Sequence, residues 1–424
     1  MATTLKPEDA DQVREAVAWA SAQETPLEVA GHGSKRGLGR PVVADYRLDV
    51  SGVSGVKDYQ PAELLLVVRP GTPLPEMEAL LNDHDQHLAF EPADYGPLWG
   101  EVPGGATVGG VIACNLSGPR RVKAGAARDH FLGVAAVTGR GEAIKAGGRV
   151  VKNVTGYDLC KLLAGSYGTL AVMTEVTVKV LPAPEQTRTN LLFGCDDEAG
   201  IQALGEAMQS PHEVSGAAHL PAPVAARSGV SEVKAAGAAV TAVRVEGPGS
   251  SVRERCRALH ETLAAHRPVG ELDTPDSLAF WREVRDVHPF AGNDERVVWR
   301  VSLPPGAAAA AVARIRDGAE AEAFYDWAGS LVWLALAKGE HGGEGLVRGA
   351  LAECGGHALI VRGDAGLRAS VPVFQPQSPA LQALTARVKE GFDPRGILNP
   401  GRMYAELWAA ARDRKGAGSD PGGR

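Results

Sequence analysis

The sequence predicts an α+β protein with two globular domains, and three observations lead to this class. The chain has 424 residues, 44% of them hydrophobic, which is enough for two domains with cores of their own. Strand-length apolar runs alternate with helical periodicity over the first 182 residues. The Pro-Ala-Pro run at 182–184 breaks this pattern, and alanine-rich helical segments separated by strands follow it.

The first domain, residues 1–182, is predicted to open with a helix. Pro7 and the acidic residues after it suit a first helical turn, and Val13, Val17 and Ala20 then recur at helical spacing. Apolar runs, alternation and turn residues predict the remaining elements. These are strands at 27–30, 46–50 and 64–69, a helix at 73–84, a hairpin at 133–145 and a strand at 170–181.

The second domain, residues 183–378, is predicted from alternating helical and strand patterns. Its helices are expected at 200–208, 252–265, 306–317 and 344–354, and its strands near 239–245, 296–303, 330–336 and 357–361. The next segment, residues 379–404, begins with a closing helix at 379–391. Residues 405–424 are predicted to be a disordered tail.

Charge and composition disfavour several function classes. The net charge of −7 argues against nucleic acid as the main partner, because a phosphate-binding surface needs an excess of Lys and Arg. No signal peptide and no run of about 18 apolar residues is apparent, so we expect a cytoplasmic protein without a transmembrane segment. The five cysteines are widely spaced, which predicts reduced thiols and neither a metal nor an iron–sulfur site.

Several common catalytic motifs are absent. The loop GHGSKRG at 31–37 is one residue too long for the dinucleotide-binding motif Gly-x-Gly-x-x-Gly, and no Gly-Lys pair forms a P-loop. Neither His-Glu-x-x-His nor Gly-x-Ser-x-Gly occurs. A zinc protease, a P-loop NTPase and an α/β-hydrolase are therefore disfavoured.

Two glycine-rich loops remain, AGHGSK at 30–35 and PGGATVGG at 103–110. Glycine lets successive backbone N–H groups point into one concavity, which binds anions such as phosphate. Two such loops could hold one diphosphate from two sides, with the apolar residues between the glycines packed against the rest of the ligand. The alternative is that these glycines only permit tight turns and a close helix–strand contact.

Five segments, taken in order, resemble the FAD-binding fold of the vanillyl-alcohol oxidase/p-cresol methylhydroxylase (PCMH) family. They are GHGSK, PGGATVGGVIACNLSG, GAARDHFLGVAAVTGRGE, KNVTGYDLCKLLAGSYGTLAVMTEVTVKVLP and FDPRGILNPGRMY. Two further runs, LSGPRR at 116–121 and YQPAELLLVVRPGTPLPEMEALL at 59–81, resemble the FAD-binding E subunits of bacterial glycolate oxidases. The resemblance implies a PCMH-type two-subdomain FAD-binding domain, an α+β cap domain of the FAD-linked oxidase type, and a final segment that returns to the flavin domain.

The resemblance also implies which residues bind FAD. The two loops would hold the diphosphate, the stretch from Gly165 would line the adenosine end, and Asn399 would return to the flavin ring. The implied FAD-binding residues are Gly31, His32, Gly33, Ser34, Lys35, Pro103, Gly104, Gly105, Ala106, Thr107, Gly109, Gly110, Gly125, Arg128, Asp129, Gly165, Ser166, Gly168, Thr169, Leu170, Val172 and Asn399.

The first loop departs from the family pattern, which usually reads Arg-Gly-Gly-Gly-Ser where this chain has Ala30-Gly31-His32-Gly33-Ser34. His32 stands where the first loop usually has a central glycine, so a positive φ at this position would cost about 1 kcal/mol. Some relatives attach the flavin covalently through a histidine near this loop, and theirs aligns with Ser34 rather than with His32. Covalent attachment at His32 is therefore the less favoured alternative.

For function, the resemblance implies the FAD-binding subunit of a glycolate oxidase (glycolate dehydrogenase) complex. This complex would oxidise glycolate to glyoxylate and pass electrons to an iron–sulfur subunit, alongside a catalytic D-type flavoprotein subunit. Any membrane association would then be peripheral and through the complex. Two alternatives stay open: a stand-alone FAD-dependent 2-hydroxy-acid or sugar-acid oxidoreductase, and a flavin-binding scaffold without a redox role.

The catalytic groups are harder to predict. Oxidation of a 2-hydroxy acid needs a cation for the carboxylate and a base for the hydroxyl proton, and arginine is the best carboxylate ligand. The candidates for the carboxylate are Arg120, Arg121 and Arg300, with a solvated turn, a subunit contact or an ion pair as the alternatives. No base is identified, since the histidines near the motifs are expected to be structural or are uninformative. These histidines are His130, His288 and His341, and the expected flavin-domain framework residues are Lys152, Asn153, Tyr157 and Asp158.

Overall fold

The computed structural model describes residues 2–148, 156–265, 267–292 and 295–405. Up to residue 182 it contains a five-stranded sheet in the order β4-β5-β9-β7-β8 and a three-stranded parallel sheet in the order β1-β3-β2, counted over the described residues. The strands are β1 Thr3–Leu5, β2 Leu27–Ala30, β3 Tyr46–Asp49, β4 Val56–Gln60, β5 Leu65–Val68, β6 Gln86–His87, β7 Phe131–Thr138, β8 Ala143–Gly147, β9 Ala171–Lys179 and β10 Leu181–Pro182. The helices are α1 Ala10–Ala22, α2 Leu74–Asn82, α3 Val108–Cys114, α4 Arg121–Ala124, α5 Ala127–His130 and α6 Leu159–Leu163.

Helix α1 forms where the sequence predicts it, for local reasons. The side chain of Asp9 caps the helix by accepting a 2.8 Å hydrogen bond from the backbone N of Gln12. Val13, Val17 and Ala20 share one face and are fully buried against the parallel sheet. The predicted strands, the helix at 73–84 and the hairpin at 133–145 are likewise confirmed, with bounds shifted by a few residues.

From residue 186 the described chain builds an eight-stranded sheet in the order β14-β11-β13-β12-β16-β17-β15-β18. Its strands are β11 Gln186–Phe193, β12 Gly216–Leu220, β13 Val240–Gly247, β14 Val269–Leu272, β15 Val297–Ser302, β16 Ala321–Asp326, β17 Leu331–Leu336 and β18 His357–Arg362. The helices are α7 Asp197–Gln209, α8 Ala222–Ala225, α9 Ser231–Ala235, α10 Gly249–Ala264, α11 Thr274–Arg285, α12 Ala308–Gly318, α13 Glu344–Leu351, α14 Ala365–Ser370 and α15 Pro379–Phe392.

The two faces of this sheet have different neighbours. Residues such as Trp299 and Val243 pack against α7, α10, α12 and α13. On the opposite face, Trp333 lies in one continuous core with residues of the first part of the chain, and its ring lies 5.5 Å from that of Tyr95. We call this opposite surface the inner face. The predicted domain division at residue 182 stays a prediction, and most of the tail predicted at 405–424 lies outside the described residues.

Four strands of the second part and the helices α8, α9, α11 and α14 escaped the sequence analysis. The strands are β11, β12, β14 and β16. All five residues of β12 are buried although its sequence, GAAHL, has neither alternation nor β-branched residues. It is a strand because β13 and β16 pair with it on both sides, a non-local cause that periodicity does not detect.

Candidate functional site

The two glycine-rich loops lie against each other, although they are far apart in the sequence. A Cβ atom on Gly31 would lie 2.9 Å from Thr107 Oγ1, and one on Gly110 would lie 3.3 Å from Lys35 Cδ. A side chain at Gly31 would therefore push the loops apart, which is why glycine is needed there. Together the loops line a cleft of about 720 Å³, which we call the loop cleft.

Two buried cations face this cleft. Lys35 is 8% exposed and Arg402 is 7% exposed, and both line the loop cleft. Arg402 Nη2 donates a 2.7 Å hydrogen bond to the carbonyl oxygen of Lys35, and Lys35 Nζ lies 3.3 Å from Ser34 Oγ. Burial lowers the pKa of both groups. Within the described residues, neither has a carboxylate in salt-bridge distance.

Buried charges are normally paired, because desolvation of an unpaired charge is costly. Two adjacent cations that no acidic side chain of the described segments neutralises, in a cleft walled by glycine backbone, therefore match an anionic ligand with two charges. A diphosphate has this charge and has the oxygen acceptors that backbone N–H groups and a guanidinium require. The chemistry of the donor set thus fits the diphosphate of a dinucleotide.

Many of the predicted cofactor residues line this cleft, and others line a second cleft beside it. The loop cleft is lined by Gly31, His32, Gly33, Ser34, Lys35, Thr107, Gly109, Gly110, Gly168, Val172 and Asn399. The second cleft, of about 1610 Å³, is lined by Gly165, Ser166, Thr169 and Leu170. Asn399 and Arg402 line both clefts.

Asn399 joins three segments around the clefts. Its Oδ1 accepts a 2.8 Å hydrogen bond from Val29 N, and its Nδ2 donates a 2.9 Å bond to Tyr167 O. The side chain therefore holds the end of the chain against β2 and against the turn at Tyr167. The role at the flavin ring that the resemblance implies for Asn399 stays a prediction.

Another group of predicted cofactor residues lies outside both clefts. Gly104 lines a third cleft, and its N–H already donates a 2.6 Å hydrogen bond to Asp94 Oδ2. Asp129 Oδ2 accepts a 2.9 Å bond from Ala126 N within its own turn. Pro103 and Ala106 accompany Gly104 in the third cleft, Gly105 lies against Ser34, and Gly125 and Arg128 lie near Asp129 and Asn115 respectively.

The expected steric cost at His32 does not arise. Gly33, with φ of +82°, takes the left-handed conformation in this loop, whereas His32 is not among the residues with positive φ. The loop therefore accommodates a side chain at position 32 because the adjacent glycine makes the turn. Nothing in the structure tests covalent attachment.

Arg120 is not available for a substrate, which corrects one of the three arginine candidates. Its Nε and Nη2 bind both carboxylate oxygens of Glu246 at 2.9 and 2.8 Å, and its Nη1 lies 3.2 Å from Glu91 Oε1. Arg244 Nη1 also binds Glu91 at 2.8 Å. Glu91 and Arg120 belong to the first part of the chain and the other two to β13, so this cluster of four charges joins the two parts.

Arg121 and Arg300 converge on one indole ring. The guanidinium carbons lie 4.3 and 5.0 Å from the centroid of Trp327. Among the described residues, no carboxylate lies in salt-bridge distance of either. Burial and the nearby charge of Arg300 lower the pKa of Arg121. The two candidates that remain therefore form one unpaired cationic site, although they are far apart in the sequence.

The backbone at this indole is strained. Trp327 and Ala328 have φ of 51° and 56°, two consecutive left-handed residues without glycine. Trp327 Nε1 donates a 3.1 Å hydrogen bond to Gly118 O, which fixes the ring beside the segment that leads to Arg121. Such strain persists only where the surrounding structure imposes it, and it is typical of functional sites.

The other residues considered from the sequence have local structural roles or do not line the loop cleft. The ring nitrogens of His130 lie 2.9 Å from Ala124 O and 3.4 Å from Lys179 O, so this histidine is structural as expected. Tyr157 is 91% exposed, and Asp158 caps α6. His341 is largely exposed, His288 lines the third cleft, and Lys152 and Asn153 lie outside the described residues.

Sequence reasoning missed Arg402. The only signal was its position directly after the ILNPG motif, because nothing in the local sequence distinguishes a buried arginine from a solvated one. The cleft also contains Cys114 and Tyr167, which the motifs include but the predictions passed over. Burial raises the pKa of the Cys114 thiol, so it is protonated and unreactive at neutral pH.

Known proteins of similar sequence and structure define the class. A family model described as FAD binding domain matches residues 1–147. The structure of p-cresol methylhydroxylase with substrate bound has a TM-score of 0.68 and 14% identity, covering 95% of this chain and 89% of that chain. 4-Ethylphenol oxidase from Gulosibacter chungangensis has a TM-score of 0.70 and 16% identity, covering 95% and 90%. The chain is a flavoprotein with the PCMH-type fold, and its cofactor is FAD.

The family follows from sequence. Glycolate oxidase subunit GlcE of Escherichia coli (strain K12) is 34% identical over 398 residues, which are 94% of this chain and 97% of that protein. Glycolate oxidase subunit GlcD of Bacillus subtilis (strain 168) is 28% identical over 203 residues, 48% of this chain and 42% of that protein. The chain belongs to the GlcE family and is an FAD-binding glycolate oxidase subunit. The resemblance, the fold and the cofactor predicted from the sequence are thereby confirmed.

Two negative observations complete the description. Among helices of the described residues, none combines the length and apolar character needed to cross a membrane. In the same part of the chain, no group of three or more His, Cys, Asp or Glu side chains is arranged to hold a metal ion.

Proposed function

We propose that this chain itself oxidises glycolate to glyoxylate and passes the electrons to an iron–sulfur subunit, in a complex with a GlcD-type flavoprotein. The observation that carries substrate oxidation is the unpaired pair Arg121 and Arg300 at Trp327. Two guanidinium groups that have no acidic partner among the described residues suit a small carboxylate, because a guanidinium fork can bind both carboxylate oxygens. The strained backbone at Trp327 supports a functional rather than a structural role.

The arginine pair also lies close enough to the loop cleft for its charge to act there. Arg300 opposes the rise in pKa that burial causes in Tyr95 and in Tyr167. Tyr167 lines the loop cleft, and Tyr95 packs on Trp333 of the inner face. The charge of Arg300 therefore acts on two buried tyrosines, one of which lines the loop cleft.

Each part of the site has a distinct task in the proposed reaction. Lys35 and Arg402 hold the diphosphate, and the glycine loops bring backbone N–H groups to it. Bound FAD supplies the acceptor for the two electrons of the oxidation. Arg121 and Arg300 bind and orient the carboxylate, and Trp327 forms a wall that excludes water and limits the substrate to a short chain.

The test uses the complex purified from its native cell and the chain expressed alone. Glycolate is mixed with each in a stopped-flow instrument without oxygen, and the loss of flavin absorbance is followed. We expect Arg300→Met and Arg121→Met each to raise the glycolate concentration for half-maximal rate by about 10- to 150-fold, the equivalent of one charged hydrogen bond. Arg314→Met, on the exposed surface of α12, is the control. A wild-type flavin that glycolate never reduces would overturn the proposal.

The partners are proposed from relatives, and the cysteines support them. The five cysteines are free thiols at widely separated positions of the chain, which suits a cytoplasmic protein and leaves an electron-transfer cluster to another chain. Tagged chain should co-purify with a GlcD-type flavoprotein and a cysteine-rich iron–sulfur subunit. A stand-alone oxidoreductase would instead turn over glycolate or a sugar acid without partners, and a scaffold would keep its flavin oxidised during turnover of the complex.

A further inference from the structure

One titratable side chain lies beside the arginine pair and is not used by the proposed function so far. His357 is the first residue of β18 and pairs with Ser302 of β15, two residues along from Arg300. Directly opposed residues of antiparallel strands, and residues two apart on one strand, share a face of the sheet. His357, Ser302 and Arg300 therefore lie together on the inner face. Trp333 pairs with Arg300 from β17, the strand on the other side of β15, and lies on the same face.

The surroundings of His357 are cationic and partly shielded. Burial lowers the pKa of its imidazole, and the charges of Arg300 and then Arg121 lower it further. These two arginines, from β15 and α4, are the charged groups that act on it within the described residues. Neither ring nitrogen has a hydrogen-bond partner there. The imidazole is therefore neutral at pH 7 and has a free lone pair, as a general base requires.

Two other titratable groups near the arginine pair, Asp326 and Tyr95, are closed off from solvent. Asp326 is 2% exposed, burial raises its pKa to about 7, and its Oδ1 accepts a 2.7 Å hydrogen bond from Trp327 N. Tyr95 is 3% exposed, and burial raises its pKa far above neutrality. By contrast, His357 is exposed at the edge of the sheet, where a small substrate has access.

We propose that His357 takes the hydroxyl proton of a 2-hydroxy acid whose carboxylate is bound by Arg121 and Arg300. This inference rests on the proposed function. The O–H bond of the substrate breaks and its proton goes to the imidazole. The Cα–H bond breaks as well, and FAD, when bound, would supply the acceptor for that hydrogen and its electron pair. The C=O bond of the 2-oxo product forms from the electron pair left on oxygen, so atoms and electrons balance.

A pH profile follows from this role. The base must be neutral, so flavin reduction by glycolate is expected to slow as the pH falls through the pKa of His357. That pKa lies below the usual histidine value of about 6.5. In the variant His357→Gln this decline at low pH should disappear, because glutamine does not titrate. A purely structural role for His357 would leave the shape of the profile unchanged.

The test compares His357→Gln with the wild type and with His341→Gln, a control at a largely exposed histidine on another loop. In the complex, we expect His357→Gln to slow flavin reduction by about 10²- to 10⁴-fold, the usual contribution of a general base. Glycolate affinity should change by less than about threefold, since both arginines are intact. FAD content and the flavin spectrum, measured on the same samples, report folding independently of activity.

The outcomes separate this inference from the proposed function. If glycolate does not reduce the wild-type flavin, the proposed function fails first. If the wild type is active and His357→Gln retains its rate or its decline at low pH, the base is another group. A second variant, His357→Ala, should regain rate with added imidazole. A variant that binds FAD and glycolate yet gains nothing from imidazole would count against proton transfer at this position.

Discussion

Arg402 Nη2 donates a 2.7 Å hydrogen bond to the carbonyl oxygen of Lys35, so the end of the described chain reaches back to its first glycine loop. Two buried cations are thereby held side by side with no carboxylate of the described residues in salt-bridge distance, which is unfavourable unless an anion joins them. The diphosphate of FAD supplies this anion in the chemistry proposed above. Cofactor binding should therefore depend on a residue far from the glycine motifs.

The first prediction tests this dependence. Arg402→Met removes the guanidinium and retains much of the volume, and FAD should bind about 10- to 150-fold more weakly, as expected for loss of a charge-assisted hydrogen bond. Titration of the apoprotein with FAD, followed by flavin fluorescence, measures the change. Arg395→Met is the control, because Arg395 lies seven residues before Arg402 and forms an exposed ion pair with Glu24; this variant should bind FAD as the wild type does. Equal affinity of the Arg402 variant would show that the cation is structural.

The second prediction concerns the contact between the loops. In Gly31→Ala the new methyl group would lie 2.9 Å from Thr107 Oγ1, so one loop must shift and the backbone donors must separate. We expect weaker FAD binding with little loss of secondary structure. Gly205→Ala in α7 is the control, since a Cβ there meets nothing within 4 Å, and it should stabilise the protein by up to about 1 kcal/mol. Unchanged FAD affinity in Gly31→Ala would contradict the close approach of the loops.

The third prediction separates the two neighbouring arginines. Arg120→Met leaves Glu246 and Glu91 with one cationic partner fewer in a buried cluster, and the free energy of unfolding should fall by about 3–5 kcal/mol. Arg121→Met should leave stability nearly unchanged and weaken glycolate binding instead. Thermal unfolding and glycolate titration of both holoproteins distinguish these roles. The reverse pattern would mean that Arg120, not Arg121, faces the substrate.

The fourth prediction is a pH dependence of stability. Asp197 accepts hydrogen bonds from Tyr325 OH at 2.6 Å and from Arg316 at 2.8 Å. Burial alone would raise its pKa, but the bonds to His219 and Tyr325 and the charge of Arg316 lower it from 3.8 to about 2. Because the folded pKa is depressed, the stabilisation of about 2 kcal/mol is present above pH 4 and is lost as the pH falls towards 2.

Asp197→Asn tests this dependence. The variant should be less stable than the wild type at pH 7, and the difference in urea unfolding should shrink steadily between pH 4 and pH 2. Asp317→Asn, at an exposed position near the end of α12, is the control and should show no such convergence. A difference that persists unchanged at pH 2 would mean that the hydrogen bonds, not the charge, stabilise this site.

Much of the local structure and the cofactor class followed from the sequence, for reasons that lie within short segments. Asp9 caps a helix whose apolar residues recur with the helical period of 3.6. The glycines of the two loops permit tight turns because glycine has no Cβ, whatever its tertiary surroundings. The missed strand β12 shows the limit, because its neighbours in the sheet, not its own residues, make it a strand.

The sequence by itself determined that this chain is a PCMH-type flavoprotein of the glycolate oxidase kind. This was possible because each phosphate-binding loop consists of contiguous residues and can be recognised as a sequence motif. Only the tertiary structure decided which arginines are paired. Arg120 and Arg121 are adjacent in the chain, yet one is neutralised by Glu246 across the two parts of the molecule and the other meets Arg300 at Trp327. The physical reason is that the free energy of a buried charge depends on neighbours brought from distant segments, which spacing along the chain does not encode.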